Sequence, residues 1–98
     1  MKKIYISGRI SGLTSNEYEN SFFSAQLQLL KMGYQYIVNP LFITRKIDKT
    51  DYSALMVCCI DFLFQCNAIY MIAGWENSRG ARIEHNIAKE MGMEIIYQ

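Results

Sequence analysis

Ninety-eight residues, 51% of them hydrophobic, with a net charge of +1, describe one folded domain over 1–98 with a modest core, small enough that self-association into a homodimer or higher homo-oligomer is expected. The near-neutral balance argues against a disordered tail and against a surface for nucleic-acid polymers. No apolar run approaches the length of a membrane span, and Lys2-Lys3 leads into a strand-like segment with no signal-peptide core, so no membrane partner is expected and the expected location is the cytoplasm. Cys58, Cys59 and Cys66 have neither the number of a disulfide framework nor the spacing of a metal site; they read as small buried hydrophobes, and no metal or other cofactor is expected.

In chain order, Ile4, Tyr5 and Ile6 form a β-type run that stops at Ser7-Gly8, and Gly12 closes a loop carrying Arg9 and Ser11. Thr14 and Glu17 have the spacing of a capping box. Tyr18, Phe22, Ala25, Leu29 and Met32 then recur at helical spacing up to Gly33, which supplies a left-handed residue past the helix end. Residues 36–38 read as a second strand ended by Asn39-Pro40, because proline lacks the donor a central ladder needs. Residues 41–49 are basic and irregular and read as a loop. Thr50 or Asp51 can cap a second helix through Gln65, with Leu55, Met56, Cys59, Ile60 and Leu63 on its apolar face, and Asn67 ends it. Residues 68–72 are almost unbroken apolar sequence, as in a strand covered on both sides. Ile95, Ile96 and Tyr97 repeat that character after a third helix, with Gly92 between.

The order β-α-β-α-β-α-β predicts a small doubly wound α/β domain of Rossmann-like or flavodoxin-like type, with four parallel strands in order 2-1-3-4 and helices on both faces. In such sheets ligands bind beyond the carboxyl ends of the strands, where the strand order reverses. The loops over 7–12 and 74–80 meet there.

The second of these loops enters a helix through Ser78-x-Gly80, leaving backbone N–H groups free to meet an anion, and Glu84 follows one turn further in. The helix dipole is expected to favour the ionised carboxylate of Glu84, giving a nucleophile ready at neutral pH. Ser7, Gly8, Arg9, Ser11 and Gly12 read as a phosphate or ribose cradle, joined by Ser78 and Gly80. This is neither the GxGxxG dinucleotide fingerprint nor a Walker A loop. Asp61, on the second helix, is a candidate to face the same cleft, and Tyr5 is a candidate proton donor if its hydroxyl emerges there. Trp75 is a candidate base contact or a loop anchor. His85 points about 100° away from Glu84 on a helix and reads as structural. Arg79 and Arg82 read as surface residues or phosphate partners. Phe22, Phe23, Phe62 and Phe64 are expected to leave apolar helix surface for a partner copy.

The run Ile4-Tyr5-Ile6-Ser7-Gly8-Arg9-Ile10-Ser11-Gly12, with Asp61, Asn67 and Ser78-x-Gly80-x-x-x-Glu84, resembles the nucleoside 2-deoxyribosyltransferase superfamily, above all small members sharing Gly74-Trp75-Glu76-Asn77-Ser78-x-Gly80-Ala81 and Asn39-Pro40. It is also similar to the 2'-deoxynucleoside 5'-monophosphate N-glycosidases. The resemblance implies that Glu84 attacks the anomeric carbon of deoxyribose, that Asp61 orients the sugar or the nucleophile, that Tyr5 assists departure of the base, and that Ser78, Gly80 and the first loop bind the 5' end. The sequence ends after its fourth strand, where relatives continue into a fifth and complete the site with a neighbouring subunit. Asn86 stands where many relatives carry glycine and is expected to narrow the pocket beside Glu84.

The expected function is an N-deoxyribosyl hydrolase or transferase acting on a 2'-deoxynucleoside or its 5'-monophosphate through a covalent glycosyl-glutamate. A non-catalytic pocket that senses or sequesters a nucleotide derivative is the alternative, and the two differ in whether Glu84 must be a carboxylate.

Overall fold

The protein is described by a computed structural model covering residues 2–98. Its elements are β1 (Lys3–Ser7), α1 (Ser15–Lys31), β2 (Tyr36–Val38), α2 (Pro40–Ile43), α3 (Tyr52–Phe64), β3 (Ala68–Met71), a single 3-10 turn (Trp75–Asn77), α4 (Arg79–Glu90) and β4 (Glu94–Tyr97). The four strands form one sheet in order β2-β1-β3-β4, and every pairing is parallel. The chain reverses its direction of travel across the sheet between β1 and β3, which opens a crevice at their carboxyl ends.

Alternation along the central strands divides the core into two layers. Ile4 and Ile6 of β1, with Ala68 and Tyr70 of β3, pack against Phe22, Ala25 and Leu29 of α1. Tyr5, Ile69 and Met71 point to the other face, where Cys59 and Leu63 of α3 and Ala81 and Ala88 of α4 cover them. Both faces of β3 are buried, which is why its sequence lacks alternation.

The helix ends follow the capping chemistry of the sequence. The Thr14 hydroxyl accepts from the Glu17 N–H while the Glu17 carboxylate accepts from the Thr14 N–H. Gly33 adopts φ +96° just past α1, a conformation that costs other residues a Cβ clash. Asp51, not Thr50, caps α3 by accepting from the Ala54 N–H.

Two expectations are corrected. Residues 41–49 are not wholly a loop: Asn39 accepts from the Leu41 N–H, and Pro40, whose missing donor costs nothing at the first helical position, starts the one-turn helix α2. Phe22 is not surface but core, and Phe62 is partly packed. Phe23 and Phe64 remain exposed, together with Leu27, Leu30 and Phe42.

Candidate functional site

On α4 the buried residues are Ala81, Glu84 and Ala88, the i, i+3, i+7 stripe that faces the sheet. Glu84 therefore occupies a core-facing position, flanked by alanines small enough to bring the helix close to β1. Tyr5 and Ser7 lie two residues apart on β1 and so share its α4-facing side. The Tyr5 hydroxyl donates to Glu84 Oε2 at 2.5 Å and the Ser7 hydroxyl donates to Glu84 Oε1 at 2.7 Å. Each carboxylate oxygen thus has its own donor. Tyr5 and Ser7 are fully buried and Glu84 is 7% exposed.

Burial decides the protonation state of this group. Desolvation pushes the Glu84 carboxyl up to about 7, against the opposing pull of the two hydroxyl donors. The expectation that the helix dipole keeps it ionised is corrected: Glu84 is the sixth residue of α4, beyond the first turn where the dipole acts, and the loss of water outweighs what remains. Tyr5 moves well above the ordinary phenol range, first through burial and then through the neighbouring Glu84 charge. Burial likewise pushes the Cys59 thiol up to about 11.

One side of Glu84 opens into a cavity of about 390 Å³, within the size range of small-ligand clefts. Tyr5 and Glu84 form its floor with Cys59 and Ala81. One wall comes from the first loop and α1, through Gly8, Ser11, Gly12, Tyr18 and Phe22. The other comes from the start of α4 (Ser78, Gly80), the start of α3 (Tyr52, Leu55, Met56) and the preceding segment (Pro40, Leu41, Thr44, Lys49). The lining is largely apolar with a few convergent polar groups. Close approach explains two of its glycines. A Cβ on Gly8 would sit 2.9 Å from Ile72 Cδ1, and Gly12 holds φ +83°.

A family model described as Domain of unknown function (DUF4406) matches residues 2–97. The chain belongs to this family. Comparison with curated proteins and with solved structures gave no match.

In this DUF4406 chain the residues singled out in the sequence separate into those that share the cavity and those that do not. Tyr5, Glu84, Gly8, Ser11, Gly12, Ser78 and Gly80 line it. Ser78 also caps α4, its hydroxyl accepting from the Ala81 N–H. Ser7 is brought to Glu84 but is sealed from the cavity, so it holds the carboxylate and is not part of a phosphate cradle. Arg9 folds back along its own loop, donating from Nε to the Ser11 carbonyl, and does not line the cavity.

Asp61 is exposed and lies outside the cavity. Two residues beyond Cys59, it is turned about 200° around the helix from the face that meets the site. The expectation that it shares the cleft is corrected for the folded chain. Trp75 also stays outside. Its ring stacks on His85 at 4.3 Å between centroids, and His85 meets the Tyr97 hydroxyl, so Trp75 anchors its loop and is not a base contact. Arg79 is exposed, and Arg82 donates to the Glu76 carbonyl, bracing the same loop. Asn86 is exposed and does not narrow the pocket. Asn67 and Asn39 are structural: Asn67 accepts from the Lys3 N–H at the opposite end of β1, and Asn39 caps α2.

Sequence reasoning missed Thr44, Lys49 and Tyr52, which lie in or next to the segment it left as a loop. Among the described residues no group of three or more His, Cys, Asp or Glu side chains is arranged to hold a metal ion. No helix among them is long and apolar enough to cross a membrane. What the site offers chemically is a carboxylate close to half-ionised at neutral pH, oriented through both oxygens and facing an apolar cavity.

Proposed function

We propose that this protein cleaves the N-glycosidic bond of a 2'-deoxynucleoside or its 5'-monophosphate, as an N-deoxyribosyl hydrolase or transferase of the nucleoside 2-deoxyribosyltransferase type. The observation that carries this reading is Glu84, held through both carboxylate oxygens by Tyr5 and Ser7 and open to the cavity at the sheet's carboxyl edge.

In the first step a Glu84 oxygen bonds to C1' of the sugar while the C1'–N bond breaks, and the base leaves with the bonding electrons and takes a proton from solvent. In the second, water or another base attacks C1' and Glu84 departs as carboxylate, with the proton of the attacking water or base passing to solvent. The Tyr5 proton is committed to Glu84 Oε2, so Tyr5 acts first by orienting the nucleophile. A role in base departure requires that hydrogen bond to be exchanged.

Incubation with a panel of deoxynucleosides and their 5'-monophosphates is expected to release free base from at least one. The matching ribosyl compound should react at least about tenfold more slowly, because a 2'-hydroxyl withdraws electron density from the oxocarbenium-like transition state. Binding without base release across the panel would instead support a sequestering module. We further propose self-association, supported by the exposed Phe23, Leu27 and Leu30 along α1 with Phe42 beside them. Sedimentation velocity at micromolar concentration should show a homodimer or larger species, and a monomer would contradict it.

A further inference from the structure

We propose that the groove between α1 and the β2–α2 segment is the interface of a two-fold homodimer, in which the α1 wall of one copy closes on the α2 wall of the other. This rests on the self-association proposed above and adds the face, the symmetry and the residue pairs that make it specific.

The groove has a volume of about 770 Å³ and is lined by Glu19 and Phe23 of α1, Ile37 and Val38 of β2, and Phe42 of α2. Phe23 is 61% and Phe42 64% exposed, so these rings contribute little to the chain's own core and gain most from a body that covers them. β2 is the last strand on its side of the sheet, which is why the groove stays open.

The charges decide the occupant. Glu19 lies one turn before Phe23 on the α1 wall. On the α2 wall the Arg45 guanidinium sits 4.1 Å from the centroid of the Phe42 ring and donates from Nη1 to the Phe42 carbonyl, which leaves its other two nitrogens to donate elsewhere. The only ion pair among the described residues is Lys2–Glu94, so neither Glu19 nor Arg45 meets an opposite charge within them. With an acid on one wall and a base on the other, the surface is its own complement. A two-fold axis running along the groove sets Phe23 against Phe42 and Glu19 against Arg45, each twice. An axis across the groove would instead set α1 against α1, bring the two Glu19 carboxylates together and leave both Arg45 side chains unanswered. The net charge of +1 per copy adds little repulsion.

The contact reaches the candidate site, because Leu41 lines both the groove and the cavity that Glu84 faces. The one-turn helix α2, whose Ile43 and Thr44 amides bond to the Asn39 and Pro40 carbonyls, is thereby clamped from outside.

The test is sedimentation velocity of the full chain across a micromolar concentration series. Glu19→Arg and Arg45→Glu should each weaken the homodimer at least about tenfold, because each sets like charges face to face at two symmetric places. An equimolar mixture of the two should form a heterodimer of near wild-type strength, and the double variant should recover its homodimer. Phe42→Ser, at a position outside both core clusters, should weaken the dimer at least about tenfold with its thermal midpoint unchanged, which keeps the test decisive if Arg45→Glu folds poorly. Hydrogen exchange at the Ile43 and Thr44 amides should slow in the dimer. If the wild type dimerises but these variants leave the dimer intact, or mixing the folded charge variants restores nothing, or exchange in α2 is unchanged, the interface assigned here is wrong while self-association stands. A wild-type monomer throughout the series overturns both.

Discussion

Glu84→Gln is expected to release base at least about 10⁴-fold more slowly than the wild type, because the amide cannot form the glycosyl ester, and at the same time to yield a more stable protein above pH 7. The second half follows from linkage. The folded carboxyl titrates at about 7 and its reference value is 4.5. Between those values the unfolded chain has lost its proton and the folded chain has kept it, so stability falls as pH rises through this window and stays low above it. At 1.36 kcal/mol per unit the full effect is about 3 kcal/mol. Glutamine carries no charge to desolvate and retains an acceptor for one of the two hydroxyls, while the other can accept from the amide.

Thermal unfolding at pH 8 should therefore show a Tm at least about 5 °C higher for the variant, with the gap closing toward pH 4.5. A variant less stable at pH 8 would mean that Glu84 is ionised at little cost. Glu84→Ala is the poorer test, since it leaves the buried Tyr5 and Ser7 hydroxyls with no acceptor.

Tyr5→Phe should move the pH dependence of catalysis without disturbing the fold. Wild-type kcat/KM is expected to rise about tenfold per unit up to pH 7 and then flatten as Glu84 becomes fully ionised. The Tyr5 hydroxyl stabilises the charged form of Glu84. Without it the acid limb should shift upward by about one to two units, the equivalent of one charge-assisted hydrogen bond. At pH 6.5 the variant should be about 10- to 100-fold slower, and by pH 9 the gap should largely close. The phenyl ring keeps its packing against the core, so unfolding midpoints should stay close. A uniform loss at every pH would assign Tyr5 to proton delivery instead of carboxylate orientation.

Much of the fold was legible because local signals and global topology agree. The capping box at Thr14, the left-handed glycines and the unbroken apolar run of β3 each specify an element or its end, and together they allow few topologies. The segment from Leu41 to Lys49 was not legible. Its helical turn depends on Asn39 and Pro40, which equally serve to end a strand, and its basic residues have no periodicity.

Within the site, the loops and Glu84 were found from spacing, but its burial was not foreseen. The signal was present in Ala81, Glu84 and Ala88, which put the carboxylate on the same stripe as two small core residues. Ser7 was read as part of a phosphate or ribose cradle because it opens the glycine-containing loop after the first strand. Only strand alternation, which pairs it with Tyr5, reveals that it faces α4. Asp61 failed for the opposite reason. Its place on the second helix, shortly before the strand that leads to the Gly74–Gly80 loop, suggested the cleft, whereas the helical phase set by Cys59 and Leu63 turns it to the surface.

The central claim is that Glu84 forms a covalent bond to C1' of a deoxyribosyl substrate. It is tested most directly by mass spectrometry of the intact protein and its peptides after mixing with slow 2'-fluorinated 2'-deoxynucleosides and their 5'-monophosphates. The account predicts a mass increase equal to the fluorinated sugar or sugar phosphate, carried on the peptide containing Glu84 and absent from Glu84→Gln. Binding of these compounds with neither an adduct on that peptide nor free base in solution would contradict it.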